Sequence, residues 1–210
     1  MKKAFIISMI ITALEFIAAI VLFPYLPEQI PIHWNISGAV DGSAGKEFIF
    51  ALPVLSLVLT LLFHWAPRIT PKGENIEKSG KIYPGLMVLL SLLMAALLTI
   101  TAVTAFGISV PTTEIIFAIL GILMLFIGNY MPKVKPNYVL GIRLPWTLSS
   151  EVVWVKTHRF SGWVFLVIGL LFLVGIFLPA PVNFILPLVG LFAGILAIVW
   201  FACISYKKNK

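Results

Sequence analysis

The sequence predicts an all-α polytopic membrane protein of six transmembrane helices with both termini cytoplasmic. Three observations predict it. Of 210 residues, 60% are hydrophobic and 11% charged, with a mean hydropathy of +1.07; soluble domains carry about 25% charged residues, so lipid replaces water around most of this chain. Six apolar runs occur, at about 4–23, 48–66, 84–107, 113–131, 160–178 and 184–204; a hydrocarbon layer of about 30 Å needs about 20 apolar helical residues. When the runs are threaded with the N terminus inside, fourteen Lys and Arg fall in inner segments and only Lys46 lies outside, a strong positive-inside asymmetry. The net charge of +7 is thereby explained by basic residues at one membrane face, and direct nucleic-acid binding is not expected. The single cysteine, Cys203, makes no internal disulfide and reads as a small apolar side chain in the last run.

The first run follows Lys2-Lys3. It is longer than the 7–15 residues typical of a signal-peptide core, and no small-x-small cleavage site fits before Pro24, so a retained transmembrane helix is expected. Glu15 stands near its centre, and Ser8, Thr12, Glu15 and Ala19 fall on one side of the helix. Such a stripe should face other helices rather than lipid. Glu15 is either a proton or ligand site or a buried, hydrogen-bonded acid; no Lys or Arg inside any span can pair with it, which favours the second reading.

The outer loop 24–47 contains Pro24, Pro27 and Pro31, which forbid regular helix. Then come His33-Trp34-Asn35 and the turn residues Gly38 and Asp41-Gly42. Trp34 suits a membrane-surface anchor. His33 and Asp41 alone do not make a metal site, and a structural role is expected. The loop TPKGENIEKSGK after the second span is expected to be solvated and mobile, broken by Pro71, Gly73 and Gly80. Pro187 is placed in the first turn of the last helix, where it costs little.

Between Gly128 and Gly162 lies the most informative stretch, with five of the fifteen Lys and Arg, three of the fourteen Pro and two of the six Trp. It is too polar to cross a bilayer and lacks the Gly/Ser or plain charge of a linker; a folded loop is expected. Thr147 to Ser150 offers helix caps ahead of Glu151. A helix from 151 to 178 would be about 42 Å long, so its first turns should stand in the headgroup layer. Glu151, Trp154 and His158 share one side of those turns, while Arg159 points elsewhere. They can bind a partner or form an internal network that pins the loop; the network is the favoured reading.

This stretch resembles the signature of the SdpI immunity-protein family: a GN at a helix end, a Lys-rich step, N-x-x-x-G-x-R, a PWTL-like turn and W-x-x-T-H-R. The matching positions are Gly128, Asn129, Lys133, Lys135, Asn137, Gly141, Arg143, Pro145, Trp146, Thr147, Trp154, Thr157, His158 and Arg159. Ile30 to Asp41 is similar to the IPIHWN-x-x-G-x-x-D core of a small domain that often precedes this signature. The resemblance implies a multi-pass protein of the bacterial plasma membrane, without cofactor, metal or catalysis. It would protect its producer from a secreted, membrane-active toxin peptide and hold a cytoplasmic repressor at the membrane. The bilayer, the peptide and the repressor are the implied partners.

Residues 1–110 are expected to form an N-terminal three-helix half with the outer loop 24–47, and 111–210 a C-terminal half with the inner loop 132–159. Leu26-Pro27 and Pro31 after the first span are echoed by Met131-Pro132 and Pro136 after the fourth. An odd number of spans per half reverses orientation, the layout of a 3+3 inverted repeat with Glu15 a candidate for a midplane site. A transporter of peptide, lipid or drug is the alternative function, although the spans are poor in ionisable residues. An intramembrane enzyme would need paired acids in a span, which do not occur, or Zn²⁺ held by His64, His158 and Glu151.

Overall fold

The computed structural model describes residues 1–209. The helices are α1 (Lys2–Leu22), α2 (Ala51–Ile69), α3 (Gly73–Lys78), α4 (Ile82–Ala105), α5 (Thr112–Tyr130), α6 (Pro145–Ser149), α7 (Glu151–Gly175) and α8 (Val182–Lys208). Six are long and apolar enough to cross a membrane: α1, α2, α4, α5, α7 and α8. The fold is all-α and polytopic, with one departure. Between α1 and α2, β1 (Gln29–Trp34) and β2 (Val40–Gly45) pair antiparallel, from Gln29 opposite Gly45 to Trp34 opposite Val40, with irregularities on either side of His33. Proline excludes helix there but not an edge strand, and the β-branched and aromatic run Ile30, Ile32, Trp34 supplies strand preference.

The chain forms two compact units. One comprises Met1–His64 and Met87–Ile116; the other comprises Trp65–Leu86 and everything from Phe117 onward. In the first, α1 buries Ala4, Ser8, Thr12, Glu15 and Ala19 and exposes Ile6, Ile10, Leu14, Ile17 and Val21. The oily face belongs to lipid and the small, polar face to protein. Hydroxyls bridge the helices: Thr12 lies 2.9 Å from Ser56, and Thr60 lies 3.4 Å from Ser91. Beneath the hairpin, Ile30 and Leu26 pack with Ala19, Ile49, Leu98 and Ala102 in one apolar cluster.

In the second unit, α5 and α7 touch through glycines at two levels. A Cβ on Gly128 would meet the Gly162 carbonyl at 2.8 Å, and one on Gly169 would meet the Gly121 carbonyl at 2.9 Å. Only residues without side chains allow backbones this close, which is how membrane helices gain dispersion contacts where lipid offers no hydrophobic drive. Phe160 stacks on Phe201 at 4.4 Å between α7 and α8. The glycine seam sets α7 against the turn Met131–Lys133 that ends α5.

Two local expectations change. The stretch 70–81 is not a bare loop: Gly73–Lys78 is a helical turn and a half, bracketed rather than prevented by its glycines. Pro187 falls in the second turn of α8, not the first, so its missing N–H removes the bond that would reach the Asn183 carbonyl.

Candidate functional site

The signature loop is built around two side chains of α7. Ser150 caps this helix by accepting the Val153 N–H at 3.4 Å, and the buried face then carries Trp154, Thr157, His158 and Ser161. The Trp154 indole donates to the Val134 carbonyl at 2.8 Å and stacks on the His158 ring, centroids 4.0 Å apart. His158 Nε2 accepts the Ile142 N–H at 3.1 Å, so the ring proton sits on Nδ1, which donates to the Trp154 carbonyl at 2.8 Å. Only the neutral imidazole satisfies both bonds.

Asn137 holds the preceding turn. Its amide donates to the carbonyls of Lys135 (2.7 Å) and Leu140 (3.0 Å). Its oxygen accepts the N–H groups of Val139 (2.8 Å) and Leu140 (2.7 Å). Four bonds exhaust an amide side chain, so none remains for a ligand. Gly141 has φ +107°, and a Cβ there would stand 2.3 Å from His158 Nε2; the position demands glycine on both counts. Thr147, buried in α6, accepts the Leu144 N–H at 2.8 Å and donates to the Ile142 carbonyl at 2.7 Å.

The sequence-derived site residues therefore divide. Asn137, Thr147, Trp154, Thr157 and His158 are buried; Gly141 lies half-buried against the His158 ring. Asn129, Lys133, Arg143, Glu151 and Arg159 are exposed, and Trp146 is intermediate. Glu151 shares the helix side with Trp154 and His158 yet takes no part in their network. The Arg143 guanidinium donates to the Tyr138 carbonyl. Lys133 lies over the Tyr130 ring at 4.9 Å. The Thr157 hydroxyl and the Trp146 indole N–H have no hydrogen-bond partner among the described residues.

Two contributors escaped the sequence reading. Asn75 donates to the Pro136 carbonyl at 2.7 Å. Ser79 donates to the Asn75 carbonyl at 2.6 Å and accepts the Lys135 N–H at 2.9 Å. The segment expected to be mobile is thus docked onto the signature loop. Asn75 and Ser79 sit four apart, one helical turn, with Ile76 buried between them; that spacing was the available signal, masked by the flanking glycines.

The hairpin is the second candidate surface. Asn35 Oδ1 accepts from the Ser37 N–H (2.9 Å), the Ser37 hydroxyl (2.7 Å) and the Ala39 N–H (3.1 Å), and Gly38 turns at φ +79°. His33 Nδ1 meets Asp41 Oδ1 across the strands at 2.5 Å. Pro31 is buried and Trp34 half-buried, while Ile32, Ile36, Val40 and Phe48 are exposed. Glu15, 3% exposed, is approached by the Ser56 hydroxyl, but neither carboxylate oxygen has a partner of good geometry among the described residues. No group of three or more His, Cys, Asp or Glu side chains gathers among the described residues.

Six apolar helices and a folded, basic connection locked by its own side chains define a multi-pass membrane protein whose polar chemistry lies in its connections. Residues 133–206 match the SdpI/YfhL protein family, and residues 10–57 match a domain of unknown function (DUF1648). The chain is 34% identical over 171 residues to the Immunity protein SdpI of Bacillus subtilis (strain 168), covering 80% of this chain and 79% of that protein. It is 39% identical over 54 residues to the uncharacterized membrane protein YbgB of the same organism, 26% of this chain and 56% of that one. No solved structure matches it significantly. The chain belongs to the SdpI family, a family of bacterial multi-pass membrane proteins.

Proposed function

We propose that this protein confers immunity to a secreted antimicrobial peptide, as a non-enzymatic binding protein of the bacterial plasma membrane. The carrying observation is the 34% identity to an immunity protein along 80% of the chain. A binding role is supported by the exposed cations Lys133, Arg143 and Arg159 carried on the locked signature loop. The Lys and Arg asymmetry supports cytoplasmic termini. The hairpin, with its apolar exposed side chains, then faces outward, where a peptide arrives, and the basic signature loop faces a cytoplasmic repressor. In the same reading 1–110 and 111–210 are inverted 3+3 halves; cysteine-accessibility labelling that finds Ser37 and Leu148 on one side of the membrane would sink both orientation and repeat.

The test is survival. A sensitive bacterium expressing the protein is challenged with peptides secreted by the source organism, with Arg143→Ala and His158→Ala run alongside. Protection by the wild type is expected. Arg143→Ala, which removes an exposed cation and its bond to the Tyr138 carbonyl but leaves the Asn137, Trp154 and His158 bonds, should keep protection if the loop serves signalling alone. No protection against any peptide, with the protein verified in the membrane, removes immunity and brings the transporter reading forward.

A further inference from the structure

A cavity of about 440 Å³ opens where α5 ends and α7 begins. It borders the lock described above through Ser79, Val134, Lys135 and Pro136. Its walls carry Lys78, Lys133 and Lys135, with one opposing acid, Glu151. Lys78 is 3.5 Å from Glu74 on its own helix, an exposed pair; Lys133 and Lys135 have no ion pair among the described residues. Three cations against one lining acid leave the cavity positive. The amino end of α7 adds to this field, since its first amides have no intrahelical partner and the helix dipole favours an anion there.

The lining also carries apolar groups: Val134, which is buried, and Val155, Pro132 and Pro136, which are at least partly exposed. The cavity also sits at a defined depth. Its residues flank the ends of three candidate spans, which begin at Ile82 and Glu151 and end at Lys133. A site at span ends whose lining joins lysines to apolar side chains matches a ligand with an anionic head and a hydrocarbon body. Basic pockets between helices at this level suit lipid headgroups. A soluble anion would have no use for the apolar lining, and an acidic protein segment would favour basic residues standing clear of the hydrocarbon.

We propose that this cavity binds the phosphate headgroup of an anionic phospholipid, with Lys78, Lys133 and Lys135 as its cationic ligands. The proposal does not depend on the immunity reading. Through Lys135 and Ser79, which hold α3 to the signature loop, an occupied site braces the loop.

The test uses the full-length protein in detergent, read by native mass spectrometry with added phosphatidylglycerol or phosphatidylcholine. Phosphatidylglycerol should be retained and phosphatidylcholine lost. The combined K78Q/K133Q/K135Q variant should bind phosphatidylglycerol about tenfold or more weakly, given the per-lysine contribution near a membrane surface. K207Q/K208Q, which removes exposed charge at the end of α8, should bind as wild type. Glu151→Gln deletes the opposing carboxylate and should tighten binding several-fold, a gain that misfolding cannot imitate. Equal retention of the two lipids, an unaffected triple variant or an unchanged Glu151→Gln overturns the proposal. Inorganic phosphate or glycerol phosphate binding as tightly as the lipid assigns the site to a soluble anion and overturns the lipid. Displacement of the lipid by a polyglutamate peptide at lower concentration assigns it to a protein partner and does the same.

Discussion

The hairpin and the signature loop use polar side chains in opposite ways. In the loop, amide, imidazole, indole and hydroxyl turn inward and bond to backbone, while the cations and Glu151 remain outside. In the hairpin, the polar residues His33, Asp41 and Asn35 hold the turn from its exposed side, and Ile32, Ile36, Val40 and Phe48 are left facing out. One surface therefore offers charge on a rigid base. The other offers apolar side chains on a two-stranded ribbon, and such ribbons are marginally stable alone. The difference suggests a division of labour: anionic partners for the loop, apolar ones for the hairpin.

The largest effect should come from Gly141→Val. It puts a β-branched residue at φ +107° and a Cβ 2.3 Å from His158 Nε2. Left-handed strain costs about 1–3 kcal/mol, and displacing His158 orphans the part-buried Ile142 N–H for about 1–3 kcal/mol more. Thermal unfolding in detergent should show a destabilisation of several kcal/mol or no folded protein. A melting curve matching the wild type would mean the loop is not pinned as described.

Next is a matched pair, Asn137→Ala and Asn35→Ala. Both asparagines organise turns. Asn137 is 1% exposed and its loss strands two N–H groups and two carbonyls, so about 3 kcal/mol is expected. Asn35 lies in an open turn where water replaces it, so about 1 kcal/mol is expected. Equal losses, measured by denaturant or thermal melts of the two variants, would erase the contrast between the regions.

How far the sequence showed this can be followed residue by residue. The spans were legible because apolar length alone defines them, and the Ser8–Thr12–Glu15–Ala19 stripe because helical periodicity puts those residues on one face. The Trp154–His158 network was legible as a shared helix side, but Glu151, on that same side, turned out to be solvent-facing. Periodicity gives direction; it does not say where the partner loop stops. The hairpin was hidden by reading its prolines only as helix breakers. Asn75 and Ser79 were hidden because their partners, Pro136 and Lys135, lie 61 and 56 residues away, a separation that local pattern does not encode. Gly128 and Gly162 were visible as motif letters, but their contact required the crossing of α5 and α7.

A subtler effect is expected from His158→Phe. Phenylalanine keeps a planar ring to stack on Trp154, so packing is largely preserved, but it cannot accept the Ile142 N–H. The loss should be about 1–3 kcal/mol, smaller than for Gly141→Val. His158→Gln restores an acceptor and should recover part of it. A Phe variant as stable as the wild type would show that stacking, not hydrogen bonding, pins the loop.

The smallest effect belongs to the hairpin's His33–Asp41 contact. His33 and Asp41 are close, but their side chains are 68% and 43% exposed, and solvent-exposed pairs contribute about 0–1 kcal/mol. His33→Ala should therefore leave global melting almost unchanged. Its effect should be local: freeing β1 from β2 at the strand irregularities raises amide exchange across 29–45 while exchange in the signature loop stays as in the wild type. Hydrogen-exchange mass spectrometry reads both regions in one experiment. If His33→Ala lowered global stability by several kcal/mol, or loosened the signature loop as much as the hairpin, the hairpin would be a structural keystone, and the separation of an adaptable apolar surface from a rigid basic one would fail.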